Sequence, residues 1–82
     1  MKLWLIEPID DLPRYSNPWE PWYDKAFGFV VRAADEKDAR EMAADFSGDE
    51  GSESWLNAAL TRCTELLPEG EPGMILRNFA SA

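Results

Sequence analysis

Histidine is absent from this 82-residue chain, and cysteine occurs once, as Cys63. Without histidine there is no serine–histidine triad, no cysteine–histidine dyad and almost none of the ordinary zinc sites. A lone cysteine closes no internal disulfide, so nothing points to an oxidising compartment. Set among apolar neighbours, Cys63 reads as a buried inert thiol rather than a nucleophile. Long hydrophobic runs are lacking too: "LWLI" at residues 3–6 is far too short for a membrane span or the core of a signal peptide. The chain is therefore expected to be cytoplasmic, mature from its first residue, and without membrane contact. Bases are scarce, 8 Lys and Arg against 16 Asp and Glu, for a formal net charge of −8. That balance repels phosphate, so direct binding to nucleic acid or anionic lipid is not expected, and the complementary partner is a protein with a basic surface. Acidity that serves only solubility is the plainer alternative.

Motifs that bind cofactors or metals are also missing, and no cofactor is expected. "DFSGDEGSE" spaces Asp45, Ser47 and Asp49 as a calcium loop begins, but Glu50 replaces the glycine of the sharp turn and Leu56 stands where a bidentate glutamate should close the shell. A helix exit accounts for the same residues. "GEPG" at residues 70–73 precedes a strand pattern, not a helix, and so reads as a hairpin turn instead of a phosphate cradle. Adjacent acids such as Asp10 and Asp11 lie in a loop with no sign of a pocket, as solvated carboxylates usually do. A non-enzymatic protein is the expectation.

What is present suffices for one small folded domain over residues 1–82, with 45% apolar and 29% charged residues. "KLWLIE" at residues 2–7 reads as an internal strand, with Leu3 and Leu5 on one face and Trp4 and Ile6 on the other. In "AFGFVVRA", residues 26–33, Phe27, Phe29 and Val31 share a face of a second strand. Asp35 is a good N-cap, Glu36 and Asp38 favour the first turn, and Ala39, Met42, Ala43 and Phe46 form a helical stripe. Gly48 is placed as the C′ residue of a helix over about residues 35–47. Residues 53–67 admit one continuous helix, or a short helix at about 53–60 followed by a strand at about 61–67 that pairs with a last strand at 73–79. The second option predicts an α+β fold: a mostly antiparallel sheet of about four strands, one main amphipathic helix on one face, and a long aromatic and proline-rich loop.

That loop contains "SNPWEPWYD", residues 16–24, where prolines exclude both helix and ladder. Two readings of its rings stand side by side. Trp19, Trp22 or Tyr23 folds over the sheet face that the helix leaves open, or these rings stay exposed as binding anchors.

The acids are unevenly placed. Residues 35–53 hold eight acids against Lys37 and Arg40, which is −6 of the chain's −8. Asp38, Glu41 and Asp45 fall three and four apart along one flank of the predicted helix, with Lys37 and Arg40 expected to project elsewhere. Carboxylates so spaced stand roughly 5–6 Å apart, on the scale of successive phosphates. Like charges at these spacings, and an acid near the negative end of the helix, cost a little stability without a visible local gain. Asp38, Glu41, Asp45, Asp49, Glu50 and Glu53, with Trp19, Trp22 and Tyr23, are therefore the candidate partner-binding residues. In size, acidity and lack of catalytic motifs the whole chain resembles the small inhibitors that phages make against host defence, anti-CRISPR and anti-restriction proteins among them. The resemblance is one of character and maps no residue. It implies a partner that handles nucleic acid and is engaged by charge mimicry; the alternative is an accessory or structural domain that docks through its aromatic loop.

Overall fold

Strand β1 (Lys2–Pro8) takes the middle of a three-stranded antiparallel sheet of order β2-β1-β3, with β2 at Phe29–Ala33 and β3 at Thr61–Leu66, in a computed structural model that describes residues 1–77. The central position follows from a strand that is apolar on both sides. Ile6 pairs with Phe29 and Cys63 on one face, while Leu5 pairs with Val30 and Thr64 on the other, and both Ile6 and Leu5 are buried. Between β2 and β3 the chain crosses over β1 through two helices, α1 (Glu36–Asp45) and α2 (Ser52–Leu56).

The start of α1 is set as its residues dictate. Asp35 is extended and its carboxylate accepts a hydrogen bond from the Asp38 amide at 2.9 Å, satisfying a donor that no intrahelical carbonyl reaches. The buried face is rotated from the expected stripe. Ala39, Ala43 and Ala44 pack on Val31 and Ala33, whereas Met42 is half exposed and Phe46 is 72% exposed. Small side chains let the helix approach the sheet closely, which leaves no room for Met42 or Phe46 beneath it. Arg40, expected to project away, is instead buried at 7% exposure. Nor is Gly48 a left-handed C′ residue: the helix is capped at Phe46, whose amide bonds Ala43 O, and Gly48 allows close approach of another segment. A Cβ at Gly48 would lie well inside contact distance of the Asp24 carbonyl oxygen.

Helix α2 is shorter than the expected 53–60. Asn57 turns extended, its side-chain oxygen accepts from the Ala59 amide at 2.8 Å, and its carbonyl accepts from both Leu60 and Thr61. This Asx turn ends the helix and launches β3, which is the strand alternative for 61–67.

A strand at 73–79 does not form among the described residues, and Asn78 and Phe79 lie outside them. β3 pairs with β1 instead. Met74 and Ile75 lie beside Leu5 and Leu66 across the second face of the sheet, and Leu76 comes to about contact distance of Gly28. Met74, Ile75 and Leu76 stay exposed, as does Val30 on the same face, so the face left open by the helices is only partly covered, and Trp19 does not lie on it.

Trp19, the loop ring that does fold in, joins the helix side. It packs edge-on against Trp55 with ring centroids 5.5 Å apart, and Phe29 meets Trp55 similarly at 4.8 Å. Among the described residues, no helix is long and apolar enough to cross a membrane.

Candidate functional site

Two buried polar clusters set what the surface can present. The first is centred on Glu50, which was read from sequence as a partner-binding acid. Its carboxylate is turned inward and accepts from Trp55 Nε1 at 2.7 Å, Gly48 N at 2.9 Å and Ala26 N at 3.0 Å. Burial alone pushes this carboxyl up. The donors from Trp55, Ala26 and Gly48 outweigh burial and hold it below its ordinary value. Glu50 is therefore a clasp joining the aromatic loop, the exit of α1 and the body of α2, and it is withdrawn from the surface.

The second cluster is centred on Arg40. Its Nε donates to Glu36 at 2.8 Å, Nη1 to Thr61 Oγ1 at 2.6 Å and to Trp55 O at 3.0 Å, and Nη2 to Thr61 O at 3.2 Å. A planar fork is needed to reach acceptors on α1, α2 and β3 together. Arg40→Lys is accordingly expected to lower stability by about 2 kcal/mol, since an ammonium leaves part of the set unpaired. A urea denaturation midpoint equal to that of the parent would contradict this role. Sequence offered one clue to Arg40, a base flanked by alanines that all turn inward. Its acceptors at residues 55 and 61 were invisible.

With Arg40 drawn inside, the outward side of α1 keeps its acids and one base, Lys37, which pairs with Glu41 and does not project elsewhere as expected. Asp38, Glu41 and Asp45 are all exposed and line one shallow depression with Met42, opposite Met1 and Arg32. Asp38 and Asp45 have no ion-pair partner among the described residues, while Glu41 holds Lys37 Nζ at 2.8 Å. That hydrogen bond, reinforced by the Glu41 charge, raises the Lys37 ammonium above its ordinary value. Asp49 and Glu53 are exposed but stand apart from this row. Asp49 lies beyond the helix end, and Glu53 borders a different hollow with Leu56 and Leu60. The six candidate acids thus separate into a row of three, two outliers and one interior clasp.

The aromatic candidates divide as well. Trp19 is buried and donates from Nε1 to Ala26 O at 2.7 Å. Trp22 and Tyr23 remain 45% and 60% exposed, with ring centroids 5.2 Å apart at 53°. Their loop is fastened on both sides: Asn17 accepts from the Trp19 amide, and the Asp49 amide donates to Asp24 O at 2.7 Å. That last bond sets the exposed rings next to the exit of α1. Cys63 is half-buried on the sheet face under the helices, where burial first, and the Glu36 carboxylate second, push its thiol up and disfavour the thiolate.

No protein family, curated protein or solved structure matches the chain.

Proposed function

We propose that this protein is a non-enzymatic cytoplasmic binding protein that engages a basic surface on a nucleic-acid-handling partner, by charge mimicry, in the manner of phage-encoded inhibitors of the anti-CRISPR kind. The observation that carries the reading is the division of charge on α1. Its arginine is consumed by interior carbonyls, and Asp38, Glu41 and Asp45 are left together on the outside. A row of carboxylates at helical spacing offers lysines and arginines what a phosphate strand offers them. Its steering would be strongest at low ionic strength.

Replacing Asp38→Asn, Glu41→Gln and Asp45→Asn together is expected to weaken binding to a partner captured from a bacterial lysate by roughly tenfold or more at low salt. Added DNA should displace the same partner. The difference between parent and variant should shrink as salt approaches ~1 M, where the screening length is about 3 Å. Fold stability should hold or rise slightly, because like-charge pairs on the helix are relieved. An affinity unchanged by the triple substitution would refute charge mimicry. The second reading, an accessory domain that docks through its aromatic loop, draws on the exposure of Trp22 and Tyr23, and it predicts binding that salt scarcely affects.

A further inference from the structure

We infer that the Trp22–Tyr23 pair is an anchor for a guanidinium group, so that the basic partner is held by an inserted arginine in addition to diffuse charge. The inference rests on the basic-partner reading and adds to it the chemistry of the contact. Three observations converge on the pair.

Trp22 and Tyr23 are exposed and tilted against each other, and such a pair offers two electron-rich faces to a cation. Exposure here does not follow from a slack loop. Trp19 is sunk beside Trp55 on one side of the pair. On the other, Asp24 O accepts from Asp49 N and Ala26 N donates to Glu50. The rings are therefore presented from a fastened stem, so little ordering cost remains for binding. Lastly, the surroundings are acidic. Glu20 and Asp24 bracket the rings in the chain and are exposed, the backbone of exposed Asp49 is bonded to that of Asp24, and these three acids outnumber the one base beside the rings, Lys25, whose charged Nζ donates to Pro21 O at 2.6 Å.

Charge and ring chemistry together select a cation with a flat face. A guanidinium stacks on an indole while its edge donors remain free for carboxylates, whereas an ammonium is a compact, strongly hydrated point charge. The same combination disfavours an acidic or phosphate-bearing ligand. Trp and Tyr are also the residue types that most often dominate an interface once a side chain from the partner covers them.

The test is a titration of the intact protein with an oligoarginine peptide and an oligolysine peptide of equal length, at ~0.1 M salt, followed by NMR. Binding of oligoarginine should shift the Trp22 indole and Tyr23 ring signals and leave Trp19 and Trp55 little changed. Oligoarginine should bind at least roughly threefold tighter than oligolysine. The double substitution Trp22→Ala, Tyr23→Ala should weaken oligoarginine by about tenfold and abolish the preference, while Trp22→Phe should retain part of it. The preference of the parent protein is a readout that does not depend on any variant folding. If both peptides bind equally, or shift only signals around Asp38, Glu41 and Asp45, the anchor is overturned and the acidic row still stands. If the preference persists and the affinity for both peptides is unchanged when those three acids are neutralised, the anchor stands and the acidic row does not. An absence of binding by either peptide would overturn both.

Discussion

Replacing Glu50 by alanine is expected to destabilise the protein by on the order of 4 kcal/mol, because one buried and two part-buried donors lose their acceptor together. A chain of this length has roughly 4–12 kcal/mol in total, so Glu50→Ala should lose from about a third to all of it. Glu50→Gln should cost less, about 2 kcal/mol, since an amide oxygen keeps part of the set while its NH2 opposes a donor. The pH dependence separates a charge effect from simple loss of packing. The folded carboxyl lies below its ordinary value of 4.5, so its contribution is fully present above that value and fades as pH falls through the lower, folded one. Urea midpoints measured from pH 7 downward should therefore converge for parent and Glu50→Gln in acid. Their difference, not the parent curve alone, is the quantity to follow, because protonating the many other acids relieves self-repulsion and acts in the opposite sense. A constant gap between the two proteins down to pH 2 would show that the Glu50 charge contributes nothing.

Trp19→Ala and Trp22→Ala should differ widely although the two residues lie three apart in one loop. Trp19 is buried against Trp55 and tied to Ala26 O, and its removal should cost about 3–5 kcal/mol by opening a cavity beside the largest side chain of the core. Trp22, nearly half exposed, should cost less than about 1 kcal/mol. Thermal or urea unfolding of both variants decides the matter. Equal losses would mean that Trp22 is part of the core, which would remove the basis for treating it as an anchor. The result also apportions the aromatic loop, because a ring that supports the fold cannot be substituted to probe binding, and one that does not can be.

The fold and the placement of the candidate residues were legible from different signals, and to different extents. β1 was legible because "KLWLIE" is apolar at both parities, a pattern that only a strand covered on two faces explains. α1 was legible at its start because Asp35 and the acids after it meet a purely local need of four unpaired amides. The strand at 61–66 emerged from the strand formers of "TRCTEL", though its partner was misassigned. On the surface, the row Asp38, Glu41 and Asp45 followed from spacing alone, since helical geometry places residues three and four apart together whatever the rest of the chain does.

Tertiary structure alone decided which polar residues leave the surface. Glu50 and Arg40 carry charges that a sequence reading assigns to solvent, and each is buried with a partner from a distant segment: Ala26 joins the nearby Gly48 and Trp55 at Glu50, and Trp55 and Thr61 meet Arg40. Burial of a charge is tolerable only when several well-placed partners converge on it, and convergence is a property of the folded chain. Residues 74–76, strand-like by their pattern, join no ladder among the described residues and remain exposed. So the sequence by itself determined β1, the start of α1 and the spacing of the acidic row, because those depend on neighbours a few residues away. Only the fold decided which face of α1 turns inward, which acids remain outside, and which tryptophan of the loop is core, because each of those rests on contacts between residues far apart in the chain.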